Sequence, residues 1–195
     1  MRFLSVFLDA VLASILLIPV FLVLHRTRFH SAKNTILYTV FSIYLAAVYS
    51  VVGLPNVTYV RFEPNLNLVP FLNMFSALTG TILNVILFVP MGFFLMLLWK
   101  RFRNPLRCIL FGFAASLTIE ILQIFTFRAT DINDLITNTL GTLIGWLLGY
   151  LVLKCCPKLV CDNDRRDLPI VLGTVFCVMF FVFPFLYNFV WHFIL

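Results

Sequence analysis

The chain has 195 residues, 62% hydrophobic and 11% charged, with a mean hydropathy of +1.05. A water-soluble domain of that composition would leave a large apolar surface exposed and aggregate, whereas lipid solvates the same surface. The net charge of +6 would point to nucleic acid in a soluble protein, but in a membrane chain the placement of the charges carries the information, and no nucleic-acid partner is expected.

At about 20 residues per span, the length accommodates five or six membrane-crossing helices. The expected fold is therefore all-α, a polytopic transmembrane helix bundle of about six spans forming a single membrane domain over residues 1–195. The first span is predicted from about Phe3 to Leu24. It lacks a small-residue cleavage site and is followed by His25, Arg26, Arg28, His30 and Lys33, so it reads as a retained helix rather than a signal peptide. The second covers about Thr35 to Leu54 and closes at Gly53 and Pro55. Residues 55–79 differ in kind, because Pro55, Asn56, Pro64, Asn65, Asn67, Pro70 and Asn73 interrupt an apolar text. That pattern predicts an ordered or re-entrant extracytoplasmic loop.

The third span takes Gly80 to Trp99 and stops at Lys100, Arg101 and Arg103. The fourth runs from Leu106 to Phe127 and the fifth from about Asp134 to Leu153. A loop with Lys154, Lys158, Arg165 and Arg166 leads to a last span from Leu168 to Leu195. The cysteines are Cys108, Cys155, Cys156, Cys161 and Cys177, an odd number unsuited to a disulfide framework. Cys155, Cys156 and Cys161 lack paired CxxC spacing and neighbouring histidines, so they read as free thiols and no metal is expected.

Lys and Arg in short loops are retained in the cytoplasm. Eleven of the 14 basic residues fall in the loops after spans one, three and five, leaving Arg2, Arg61 and Arg128 on the other side. Six spans then place both termini outside the cytoplasm.

Counted at about 1.5 Å of rise per residue, Glu120 lies about 21 Å from the cytoplasmic end of span four, with Gln123 one turn further out. Asn84, Asp9, Asn138, Asn188 and His192 likewise fall toward the outer ends of their spans. A charged carboxylate in hydrocarbon costs at least about 2.5 kcal/mol, so Glu120 must face protein or water, either paired with Arg128 or Arg61 or carrying a proton. Asp134, Asn138, Gly141, Gly145 and Gly149 share one stripe of span five, and the glycines form a flat groove for close helix packing. Asp131 and Asp134 sit at the positive N-terminal end of that helix, where either serves equally well as a cap.

Four blocks in order then resemble the VanZ family of bacterial membrane proteins. They are Asn67-Leu68-Val69-Pro70-Phe71, Asn84 through Pro90 to Gly92-Phe93, Glu120-Ile121-Leu122-Gln123, and Arg128-Ala129-Thr130-Asp131 through Asp134 and Asn138 to Gly141. The resemblance covers roughly residues 65–150. It implies a bacterial cell-membrane protein, and the family's namesake is associated with resistance to teicoplanin, a glycopeptide antibiotic carrying a fatty-acyl tail. The family label names a phenotype more firmly than a reaction, and it implies no particular cofactor.

Residues and resemblance together predict an outward-facing pocket, polar at its mouth and apolar below, suited to an amphiphilic envelope lipid, a lipid-linked wall precursor or a lipoglycopeptide. Arg61 and Arg128 would bind phosphate or carboxylate groups, with Asn67, Asn84, Gln123 and Asn138 completing the ligand site. A second reading is an enzyme modifying an envelope lipid, with Glu120 as acid/base and Asp131 and Asp134 holding a cation or orienting the head group. The absence of HExxH, GxSxG and a cysteine nucleophile in the cluster weighs against it. Lipid transport is a third reading, disfavoured by inner span halves that offer no polar route.

Overall fold

A computed structural model describes residues 2–62, 64–67, 69–71, 78–126, 128–159, 161 and 166–194. Asn73, Arg165 and the predicted span ends at Phe127 and Leu195 lie outside these residues. Among the described residues, six helices are long and apolar enough to cross a bilayer, so this is a multi-pass membrane protein. The chain divides into two units, residues 61–165 and residues 1–60 with 166–195.

The discontinuous unit begins with α1 (Arg2–Leu24), which runs on through a π-helical turn, His25–Phe29. His30 ends the turn in the left-handed region at φ 52°, its N–H donating to the carbonyl of His25 at 3.0 Å. Ser31 then caps α2 (Ala32–Val52), its hydroxyl accepting from the N–H of Asn34 at 3.4 Å. Gly53 closes α2 at φ 64°, a conformation that costs glycine nothing. Ala13, Leu17 and Phe21 are fully buried, one helical turn apart on α1, while Ile15 and Leu22 on its other faces are each 58% exposed. Such faces meet lipid rather than water.

The same unit contains α6 (Asp167–Cys177), the π-helical turn Val178–Val182 and α7 (Phe183–Ile194) in one continuous apolar run. Pro184 explains the turn, because it has no N–H and its ring displaces the carbonyl of residue 180. That freed carbonyl, on Phe180, accepts the N–H of Val57 at 3.0 Å and pins the loop after α2. At the opposite end of α6, Asp167 accepts from the Tyr38 hydroxyl at 2.9 Å and lies 3.9 Å from Nε of Arg28.

The continuous unit holds α3 (Leu78–Leu98), α4 (Pro105–Gln123) and α5 (Ile132–Cys155). A 3-10 turn, Lys100–Arg103, leads to Asn104, whose side chain accepts from the N–H of Arg107 at 3.2 Å, with Pro105 opening α4. The glycines of α5 are where α3 comes closest. A Cβ on Gly145 would collide with the Val89 carbonyl, one on Gly141 with that of Val85, and one on Gly92 of α3 with that of Thr142. Below this contact, Trp146 Nε1 donates to the Phe102 carbonyl at 3.0 Å and Cys161 N–H to the Leu97 carbonyl at 2.8 Å.

Helix α4 stops at Gln123, four residues short of the expected end. The amides of Ile124, Phe125 and Thr126 turn back to the carbonyls three residues earlier, and the Thr126 hydroxyl takes the Gln123 carbonyl at 3.0 Å. This tightening satisfies the orphan carbonyls of the helix end. Of the expected loop at 55–79, residues 63, 68 and 72–77 lie outside the described ones. The remainder makes a turn at 56–59 and a two-residue strand β1 (Leu66–Asn67), which pairs in parallel with β2 (Thr130–Asp131).

Candidate functional site

The β1–β2 pairing builds a polar end on the continuous unit. Leu66 stands against Thr130 and Asn67 against Asp131, while the Thr130 N–H donates to the Asn65 carbonyl at 2.8 Å and the Arg61 N–H to that of Phe125 at 3.0 Å. Arg61, Asn65, Leu66 and Asn67 are thereby strapped to the end of α4 and the start of β2. Asp131 then opens α5, its Oδ1 accepting from the N–H of Asn133 at 2.8 Å. Its Oδ2 accepts from Nδ2 of Asn67 at 2.9 Å.

Two further carboxylates are held in the same manner. Oε2 of Glu120 accepts the N–H of Asp131 at 2.9 Å, and the Glu120 carbonyl accepts from the Thr130 hydroxyl at 3.0 Å. Oδ1 of Asp134 accepts from Nδ2 of Asn84, on α3, at 2.6 Å. Glu120, Asp131 and Asp134 are close enough to repel one another, and Arg128 is close enough to offset part of that repulsion. Arg128 and Arg61 are themselves exposed.

Glu120, Gln123 and Asn138 are 4%, 3% and 3% exposed, so protein encloses each of them. One turn below Asp134, Nδ2 of Asn138 donates to the Ser116 hydroxyl at 3.0 Å, which ties α5 to α4. Among the described residues, Asn138 Oδ1 has no hydrogen-bond partner, although it is buried. Its carbonyl accepts from the Thr142 hydroxyl at 3.0 Å, directly above Gly145. Gly149, a turn lower, faces Met96 of α3.

Sequence reasoning passed over three contributors. Ser116 lies four residues before Glu120, on the same helix face, and that spacing is the signal that finds it. Asn133 is 6% exposed, and its Oδ1 accepts the N–H of Phe71 at 2.7 Å, holding Phe71 in the left-handed region at φ 63°. Thr130 couples β2 to the end of α4. Asp9, Asn188 and His192 belong to the discontinuous unit.

The arrangement offers two chemistries. Carboxylate oxygens fixed by amide donors accept hydrogen bonds, attract cations or exchange a proton. Exposed guanidinium groups bind phosphate or carboxylate in a bidentate fashion. Among the described residues, no group of three or more His, Cys, Asp or Glu side chains is arranged to hold a metal ion. Cys155 and Cys156 are exposed and Cys161 is buried, all as free thiols.

Protein VanZ of Enterococcus faecium is 42% identical over 88 residues, which are 43% of this chain and 51% of that protein. The chain thus spans about half the length of the curated relative it matches. No solved structure matches it. A family model described as VanZ/LLP1 matches residues 35–153, which take in α2 from Thr35 onward, the whole of α3 and α4, and α5 as far as Leu153, with the strands between them. The chain belongs to the VanZ/LLP1 family.

Proposed function

We propose that this protein binds an amphiphilic envelope molecule, an envelope lipid or an acylated glycopeptide of the teicoplanin type, at the polar end of α3, α4 and α5. The carrying observation is the strapping of Arg61 to Phe125 and of Asn65, Leu66 and Asn67 to β2, which supports a site of Arg61, Asn67, Glu120, Arg128 and Asp131 at one end of a three-helix unit. The faces beside that end are apolar and exposed, with Ile82 and Ile86 on α3, Leu117 and Ile121 on α4, and Leu140 on α5. A ligand with an anionic head and acyl chains matches both halves. The family resemblance supports the glycopeptide as one such ligand, through the namesake's association with teicoplanin resistance.

The same reading puts the polar end at the external leaflet of the bacterial cell membrane, with both termini outside and the basic clusters at Arg26–Lys33, Lys100–Arg107 and Lys154–Arg166 inside. It treats residues 1–195 as one VanZ-like membrane domain. The test is equilibrium binding of fluorescent teicoplanin and of phosphatidylglycerol to the full chain in nanodiscs. Replacing Arg61 and Arg128 together by Gln is expected to weaken one of the two ligands about tenfold. Equal affinities before and after the replacement would reject the site.

An enzymatic reading is favoured by a different observation, the fixing of Glu120 Oε2 by the Asp131 N–H beside two more carboxylates. A buried carboxylate held at a defined angle is suited to proton transfer during modification of a lipid head group. An envelope lipid that appears with the protein and vanishes with Glu120→Gln would replace the binding reading by this one.

A further inference from the structure

The discontinuous unit contains a cavity of about 340 Å³, lined by α1, the end of α2, the loop that follows and α7. It is independent of the Glu120 cluster, since every lining residue belongs to residues 1–60 or 166–195. Asp9 supplies a carboxylate to it from the N-terminal half of the largely apolar α1. The Ser50 side chain hydrogen-bonds that carboxyl group, yet Asp9 Oδ1 is buried with no hydrogen-bond partner among the described residues. Leaving such an oxygen unpaired is costly, and a ligand donor would remove the cost.

The rest of the wall narrows the ligand's chemistry. Three aromatic rings, Tyr49, Phe183 and Tyr187, line the cavity together with Asp9, and the rings of Phe183 and Tyr187 lie 6.0 Å apart. Tyr49 is already engaged, its hydroxyl donating to the Pro55 carbonyl, so it presents its ring rather than its oxygen. Among the described residues, no Lys, Arg or His lines the space. A carboxylate among aromatic rings, without a competing cation, selects an organic cation through charge and cation–π attraction. Outside the cavity, Phe7 and Leu8 beside Asp9 and Phe185 beside Pro184 are exposed and apolar, as acyl chains attached to that cation would require.

We propose that this cavity is a binding site for the primary ammonium group of an amphiphile, with Asp9 as its counter-ion and Tyr49, Phe183 and Tyr187 as its aromatic wall. The wall is preformed, because Val57 is anchored to the Phe180 carbonyl that Pro184 leaves unpaired and Asn56 Oδ1 accepts from both the N–H and the hydroxyl of Thr58. A preformed site spares the ligand the ordering cost of closing a loop.

The test is native mass spectrometry of the full chain in detergent, with three probes. They are phosphatidylethanolamine, its N-acetylated derivative of equal chain length, and ethanolammonium chloride as competitor. The expected result is that phosphatidylethanolamine binds at least fivefold more tightly than the acetylated lipid, and that Asp9→Asn abolishes the preference. Displacement by millimolar ethanolammonium would assign the site to a free ammonium, and failure to displace would assign it to the lipid; the ammonium chemistry stands in both cases. Equal binding of the two lipids, or a preference that survives Asp9→Asn, overturns the proposal. Should Asp9→Asn fail to fold, Tyr187→Leu, which removes one ring and leaves the carboxylate, is expected to reduce the preference at least twofold, and an unchanged preference in that variant overturns the proposal.

Discussion

Asn84 and Asp134 meet across α3 and α5, with Nδ2 of the asparagine 2.6 Å from Oδ1 of the aspartate. The pair sits above the glycine contact, so it locks the one end of that helix pair that the glycines do not reach. Hydrogen bonds between helices in a bilayer contribute about 1 kcal/mol, because the separated helices also find partners. A double-mutant cycle with Asn84→Ala and Asp134→Ala, read by reversible unfolding in mixed micelles, is expected to give a coupling of about 1 kcal/mol. Additive single losses would mean that the two side chains are neighbours without being partners.

The glycines of this family member divide by what surrounds them. Gly145 of α5 and Gly92 of α3 each face a carbonyl oxygen that a Cβ would strike, whereas Gly173 of α6 has open space around it. Alanine at 145 or 92 must push the two backbones apart, and overpacking of this kind costs about 1–3 kcal/mol. Alanine at 173 meets nothing, and it gains up to about 1 kcal/mol of helix propensity. Thermal unfolding of the three variants is expected to separate them in that order. Equal behaviour would show that α3 and α5 tolerate a wider spacing.

The six spans are legible in the sequence because the apolar runs of about 20 residues are separated by short stretches rich in charge, proline or asparagine. Glu120, Asp131, Asp134 and Asn138 stand out for the same reason, as polar interruptions whose spacing places them on helix faces. Their partners do not stand out. Nothing in the spacing joins Asn67 to Asp131 or Asn84 to Asp134, which are 64 and 50 residues apart. Such pairings depend on which helices pack together. The π-helical turn at Val178–Val182 was hidden for a similar reason, because Pro184 predicts a disturbed helix but not the Val57 amide that occupies the freed carbonyl. Asp9 reads as a lone polar residue until Tyr187 of α7 is brought to the same cavity.

Thiol labelling tests the orientation in the membrane. Cys155 and Cys156 are exposed at the end of α5, next to Lys154 and Lys158, whereas Cys108 and Cys161 are buried. If the basic loops face the cytoplasm, a charged, membrane-impermeant maleimide leaves Cys155 and Cys156 unmodified in intact cells and modifies them once the membrane is opened. Rapid modification in intact cells would invert the topology and put the Glu120 end inside.

Glu120 separates a structural carboxylate from a reacting one. Its Oε2 takes the N–H of Asp131 at the head of α5, and an amide oxygen at the same place accepts that N–H equally well. Glu120→Gln is therefore expected to fold with stability within about 1 kcal/mol of the parent chain, since the amide oxygen keeps the Asp131 N–H paired. Glu120→Leu removes the acceptor and leaves a backbone N–H unpaired, at a cost of about 1–3 kcal/mol. For a binding protein whose ligand is held by Arg61 and Arg128, the Gln variant keeps its affinity within about threefold, because both guanidinium groups remain to hold the ligand. Titration of both variants with fluorescent teicoplanin and with phosphatidylglycerol, alongside a lipid profile of the expressing cells, reads these effects separately. A Gln variant that folds and binds as the parent does, but no longer alters any envelope lipid that the parent alters, would identify Glu120 as the proton-transferring group and make the protein an enzyme.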